Sequence, residues 1–293
     1  MTIAEILKHK KVSLSFEVFP PKKEEDLESI KETATSLTGL NPDFISVTFG
    51  AGGTTRGYTE EIAEAIEKRG TTALAHLTCV RSTMEDLDFS IQKFREKKIS
   101  NVLALRGDFP KDMLPGENIF PSGCRHASDL VRILKAEGFC TGGACYPEGH
   151  PESPSREADI DLLKYKVDAG ADFLTTQMFF DNELLYTFLD RIEAAGIDLP
   201  VLAGIMPVTN ANQVSRMLKL SNASIPGKLL AMCERYGDSP RAMMQAGIEY
   251  ASDQISALIS AGVRGIHIYT MNKPEIARAI IENVQAAFTL CSA

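Results

Sequence analysis

No tryptophan occurs in the 293 residues, and histidine and cysteine are scarce, at five and six copies. The cysteines, at 79, 124, 140, 145, 233 and 291, form no C-x-x-C pair and no metal-ligand periodicity. This excludes a zinc module or a disulfide framework and reads as reduced, packed thiols. The pairing Cys124-Arg125-His126 offers two ligand types without a matching second pair, so it reads as loop, and no metal is expected. Positive charge is also short. Lys and Arg number 31 against 39 Asp and Glu, for a net charge of -8. A nucleic-acid binder or a polybasic membrane-surface protein needs clustered cations, so small-molecule chemistry is the better expectation. No stretch reaches the length of about 18 apolar residues that crosses a membrane, and the opening "MTIAEILKHKKV" lacks the apolar core of a signal peptide. A cytoplasmic protein is expected.

What the sequence does contain is a repeated alternation. Short β-rich runs at 13–19, 44–50, 72–79, 101–108, 140–147, 173–180, 200–208 and 265–272 alternate with helical patterns. The helices fall at 24–37, 59–68, 84–97, 128–137, 157–169, 182–194 and 274 to about 288. Eight βα units without an internal linker predict an α/β fold, a single (β/α)8 TIM-type barrel over residues 1–293. The connection between strands seven and eight, about 209–261, holds extra helices broken at Pro226-Gly227 and at Gly237-Asp238-Ser239-Pro240. Its Met232, Met243 and Met244 read as core filler.

Such barrels build their sites at the C-terminal ends of the strands. In "SLSFEVFPP" the alternation sends Leu14, Phe16 and Val18 toward the helices and Ser13, Ser15, Glu17 and Phe19 toward the axis. Glu17 therefore lies near the top of the barrel interior, where apolar surroundings are expected to raise its pKa for general-acid work. The other strand ends supply Thr48, His76, Arg106 with Asp108, Tyr146, Gln177 and Tyr269. Polar groups converging from so many strands describe a ligand pocket. Arg106 and Asp108, two apart, are expected to form an ion pair, leaving Glu17 as the protonated carboxyl.

The stretch "GAGGTTRG" (50–57) fails G-x-G-x-x-G because Thr55 takes the third glycine position, so it reads as a βα loop that can approach a ligand closely. After strand five, Tyr146 and His150 lie in a Pro-rich loop, and Asp159 and Lys166 share a face of the next helix. These four fit either a surface helix with its loop or a clamp for a large polar ligand. A cofactor-free lyase or aldolase would need a Schiff-base lysine or a metal cage at the rim, where only Lys273 stands out. A non-enzymatic subunit that only binds a ligand is also open.

The segments "SFEVFPPK", "FISVTFGAGG", "AHLTC", "ALRGD", "ACYPEGHPE", "KVDAGADFLTTQMFFD", "AGIMPVTN" and "HIYTMNK" together resemble the methylenetetrahydrofolate reductase family, in its short bacterial form without a regulatory C-terminal domain. The resemblance implies an FAD-containing barrel that reduces 5,10-methylenetetrahydrofolate to 5-methyltetrahydrofolate, with NADH or NADPH as electron donor, and a homo-oligomer. It implies that Glu17 protonates the folate's N10 and that Asp108 binds the pterin beside the flavin. Thr48, His76, Arg106, Gly107, Asp108, Ala127, Tyr146, His150, Asp159 and Lys166 fall on its FAD-contacting positions. Gln177, Tyr269 and Lys273 fall on substrate positions, with Gln177 shared by folate and nicotinamide. Two residues depart from the pattern: Ala211 where an aromatic is common, and Lys273 where arginine is common. A missing ring at 211 leaves room for a redox partner protein as the donor.

Overall fold

The computed structural model describes all residues except 51–56, 111, 115, 215–222 and 293, and the side chains of 291 and 292. Eight parallel strands close into a barrel in sequence order. They are β1 Ser13–Val18, β2 Phe44–Val47, β3 Thr72–Thr78, β4 Asn101–Leu105, β5 Cys140–Cys145, β6 Phe173–Thr176, β7 Val201–Ile205 and β8 Gly265–Tyr269. The expected barrel is the observed one. Helix α1, Ile3–His9, precedes it, and α2 to α7 follow the first six strands at Leu27–Thr38, Tyr58–Glu67, Met84–Glu96, Ala127–Ala136, Arg156–Asp168 and Asn182–Ala194. Between β7 and β8 come α8 Gly227–Tyr236 and α9 Pro240–Ser260, and α10 Pro274–Ser292 ends the chain.

The strands are shorter at their C-terminal ends than the β-rich runs suggest. Residues 178–180 and 206–208 leave the ladder at the rim. There Met178, Phe180 and Val208 pack with Met243 and Leu229 of the β7–β8 connection in a cluster apart from the main core. Met243 is buried and Met232 packs against the same cluster, but Met244 is exposed and is not core filler. The helix α9 starts at Pro240 because Ser239 caps it: its Oγ accepts from the Ala242 N–H at 3.4 Å, and proline at the first helical position has no N–H to leave unpaired.

The other end of the barrel is plugged. Thr2 and Glu5 form a capping box that starts α1. This helix inserts Ile3 and Leu7 among Phe44, Leu74, Leu103, Cys140, Phe173 and Leu202. Closure of the floor leaves the C-terminal rim as the accessible end. Among the described residues Cys79, Cys124, Cys140, Cys145 and Cys233 are free thiols, the first four of them buried.

Candidate active site

Glu17 occupies the place its alternation gives it. Leu14, Phe16 and Val18 lie in the core between sheet and helices, while Ser15 and Glu17 turn to the axis. Parallel register then sets its neighbours, with Glu17 beside Ser46 of β2 and Tyr269 of β8, and Ser15 beside His267. One carboxylate oxygen, Oε2, accepts from the Ser46 hydroxyl at 3.1 Å, lies 3.3 Å from His267 Nε2 and 3.5 Å from His76 Nε2. The backbone is fixed as well. The Glu17 carbonyl accepts from the Thr270 hydroxyl at 2.7 Å and from the Thr270 N–H at 3.2 Å.

These inward neighbours overturn the expected rise in the acid's pKa. Burial does push Glu17 up, but the His267 hydrogen bond, the nearby imidazoles and the Ser46 hydroxyl outweigh it and hold the carboxyl below its usual range. The apolar residues of β1 face the other way and contribute nothing against this. His76 behaves oppositely: burial pulls it down to about 4, so it is neutral at pH 7. Its Nε2 is buried without a hydrogen-bond partner among the described residues, its distance to Glu17 Oε2 being 3.5 Å.

The expected Arg106–Asp108 pair does not form. Arg106 instead grips Glu152 with both terminal nitrogens, at 2.6 and 2.8 Å, and stacks over Phe109, while Asp108 is exposed. The strand β4 ends at Leu105, so two-residue alternation no longer governs 106–108. Gly107 adopts φ +89°, and a Cβ there would come within 3.2 Å of Thr78 and Val80, so the backbone turns where only glycine fits.

A cavity of about 580 Å³ opens beside β4 and β5. Six of the expected ligand contacts line it, namely Arg106, Ala127, Tyr146, His150, Asp159 and Lys166. Tyr146 and His150 meet edge to face at 4.7 Å, and Asp159 accepts from Ser153 Oγ at 2.8 Å. Lys166 is desolvated, which lowers its pKa, and it donates to the Ala144 carbonyl. Among the described residues it makes no ion pair. Glu17 and His76 do not line this cavity; they stand on the same rim, toward β8, β1, β2 and β3.

The remaining expected residues are placed less uniformly. Thr48 follows β2, its carbonyl accepting from the Thr59 hydroxyl at 2.9 Å. Gln177 turns back on itself, Oε1 accepting from the Met178 N–H at 2.9 Å. Tyr269 spends its hydroxyl on the Thr176 carbonyl at 2.6 Å, in space that Gly204 leaves open: a Cβ there would meet Thr176 O at 2.5 Å and the Tyr269 oxygen at 2.6 Å. Lys273 is exposed on the turn after β8. Ala211 lies against Gly237, where an added Cβ would stand 3.2 Å away. The Gly-rich loop lies mostly outside the described residues. Sequence reasoning missed His267, Ser46, Thr270 and Glu152. The first two share the inward phase of their strands, and that phase was their only signal.

A buried carboxylate on the C-terminal rim of a parallel eight-stranded barrel, with a cavity lined by charged residues of both signs next to it, defines a (β/α)8-barrel enzyme. Residues 2–285 match the model of the family described as methylenetetrahydrofolate reductase, and the chain belongs to that family of oxidoreductases. It is 38% identical over 272 residues to 5,10-methylenetetrahydrofolate reductase of Pectobacterium carotovorum subsp. carotovorum, covering 92% of this chain and 89% of that protein. The enzyme of the same name from Escherichia coli (strain K12) is 37% identical over 271 residues, with the same coverage of 92% and 89%. Methylenetetrahydrofolate reductase (NADH) 1 of Arabidopsis thaliana is 33% identical over 96% of this chain, but over only 50% of its own length. Among solved structures, a Clostridium thermocellum protein described as binding two copies of 5-methyl-5,6,7,8-tetrahydrofolic acid matches with a TM-score of 0.65. At 14% identity, over 99% of this chain and 100% of that one, this likeness is one of fold.

Proposed function

We propose that the chain reduces 5,10-methylenetetrahydrofolate to 5-methyltetrahydrofolate with bound FAD, and that Glu17 delivers the proton that opens the folate's imidazolidine ring. The observation that carries the reading is the Glu17 carboxylate itself, held at the rim by Ser46 and His267 with its carbonyl pinned by Thr270.

The cavity residues fit a flavin dinucleotide. Lys166 and Arg106 supply cations for a pyrophosphate, and Lys166 has only a carbonyl as partner among the described residues. Outside the cavity, on the same rim, the orphaned Nε2 of His76 is a buried polar atom that a ligand can satisfy. Ala127 and the start of α5 form the far wall, and Asp159 with Tyr146 offers hydrogen bonds. When bound, FAD supplies the hydride chemistry. The chain's own residues bind and orient the ligands, keep His76 neutral, and place Glu17 Oε2 to pass a proton to the folate nitrogen. Asp108, exposed on the rim, is free to reach a pterin; Gln177, Tyr269 and Lys273 complete the substrate side. NADH is the donor carried by the name of the Arabidopsis thaliana relative, and NADPH or a partner protein are outcomes of the same test.

Purified protein is expected to carry flavin absorbance. In Glu17→Gln, flavin reduction by the donor is expected to persist while folate reduction falls by about 10²–10⁴. Equal loss in both half-reactions sinks the role given to Glu17, and colourless protein that takes up no FAD sinks the cofactor. Stopped-flow reduction with NADH, NADPH and reduced ferredoxin in parallel identifies the donor.

A further inference from the structure

The inward face of β1 and β8 carries a second line of polar contacts behind Glu17. His267 is buried and lies 6.1 Å from the Phe44 ring, stacked at 20°. Its Nδ1 is 2.8 Å from Ser15 Oγ, and that hydroxyl is also 3.3 Å from the Ile266 carbonyl. A hydroxyl has one hydrogen and a carbonyl can only accept. Spending the hydrogen on Ile266 makes Ser15 an acceptor toward His267, which puts a hydrogen on Nδ1. The other ring nitrogen, Nε2, faces Glu17 Oε2 at 3.3 Å and Ser46 Oγ at 3.4 Å. Ser46 gives its own hydrogen to the same carboxylate oxygen.

We infer that Ser15 and His267 form a proton store behind Glu17: Ser15 fixes the His267 tautomer so that its exchangeable proton lies against Oε2. The inference rests on the acid role proposed for Glu17 and explains how a carboxyl that its neighbours keep ionised can still serve as a proton donor. One proton leaves the pair in each cycle. The Nε2–H bond breaks, an Oε2–H bond forms and then breaks as the substrate nitrogen takes the proton, and a carboxylate remains beside a neutral imidazole. Solvent returns the proton. His267 acts on the substrate only through Glu17 and is a positioning residue. The other groups facing the pair are His76 from β3, which is neutral at pH 7, Tyr269 from β8, whose ring meets His267 edge-on at 5.4 Å, and Ser46 from β2.

The test is nitrogen NMR on protein labelled at histidine, followed across pH in the holoenzyme. The expected result is one histidine with Nδ1 protonated throughout, whose Nε2 signal changes in Glu17→Gln because the carboxylate it faces is gone. In Ser15→Ala the fixed tautomer is lost. In His267→Gln, which keeps a hydrogen-bonding group but carries no exchangeable charge, flavin reduction by the donor persists. Folate reduction falls by about 10²-fold and loses the limb of its pH profile that reports the stored proton. A neutral His267 protonated at Nε2 across the pH range overturns the inference, as does an unchanged pH profile in both His267→Gln and Ser15→Ala. A selective Glu17→Gln defect beside such results leaves the function reading intact and removes only the store. If the buried His267 variant does not fold, the wild-type and Ser15→Ala spectra decide alone.

Discussion

Asn272 brackets the backbone of Phe19 with both ends of its side-chain amide. Its Oδ1 accepts from the Phe19 N–H and its Nδ2 donates to the Phe19 carbonyl, each at 2.9 Å. This ties the turn after β8 to the end of β1, one residue beyond Val18 and two beyond Glu17. Asn272 sits at φ +55°, directly after Met271 at φ +52°, a conformation that asparagine tolerates better than most residues. Asn272→Gly keeps the backbone available but deletes both hydrogen bonds, and is expected to cost about 1–3 kcal/mol. Asn272→Ala adds roughly 1 kcal/mol of left-handed strain and should be the worse of the two. Thermal melts rank the pair. Folate reduction should suffer more than flavin reduction in both, because Glu17 loses its brace.

That brace was only partly legible in the sequence. Alternation in "SLSFEVF" is enough to turn Glu17 inward, since three large apolar residues must face the helices. Partners across the barrel depend on register, which periodicity within one strand does not encode, so the sequence does not mark Ser46 and His267 as neighbours of Glu17. The same limit explains Arg106 and Asp108, where alternation was extended past the last ladder residue, Leu105. Glu152, the real partner of Arg106, is 46 positions away in a loop whose local spacing says nothing of the contact. The eight-fold βα pattern was plain because each unit repeats its own hydrophobic faces, and a closed barrel is what eight such faces bury.

The Arg106–Glu152 pair predicts opposite effects from its two members. If Arg106 binds the anionic part of the cofactor, Glu152 competes for it in the structure described. Arg106→Gln should weaken flavin binding by about 10–100-fold, the worth of one charge-assisted contact. Glu152→Gln should strengthen it. Fluorescence titration with FAD at fixed salt separates the two, and a weakening in both would mean that Glu152 supports the site by holding Arg106 in place.

Gly204 is a steric requirement. A methyl group at that position meets the Thr176 carbonyl and the Tyr269 hydroxyl at distances no real contact reaches, and the Tyr269 side chain fills the barrel between them. Gly204→Ala should destabilise the protein by about 1–3 kcal/mol, the usual cost of overpacking. It should also raise the KM for the folate, since Tyr269 must shift along with the Thr176 backbone. Calorimetry with steady-state kinetics checks both, and an unchanged Tm would show that the barrel relaxes more easily than its packing suggests.

Acid should weaken the fold through His76 before it weakens it through Glu17. An unfolded histidine takes its proton near 6.5, whereas burial holds His76 at about 4. Between those values the unfolded chain binds the extra proton and the folded chain does not, so stability is complete above pH 6.5 and falls as the pH drops toward 4. A shift of this size corresponds to at most about 3 kcal/mol. Glu17 acts with the same sign at lower pH. Its neighbours hold it below the ordinary carboxyl value of 4.5, so its contribution is present above that value and fades only as the pH falls further. Replacing His76 by Gln removes the first effect and weakens the second, since His76 is one of the groups that lower Glu17. Denaturant melts of the two proteins at pH 7.5 and 4.5 should therefore show a smaller loss in His76→Gln than in wild type. Equal losses would mean that His76 gains its proton without unfolding, with Glu17 as the charge that stabilises it.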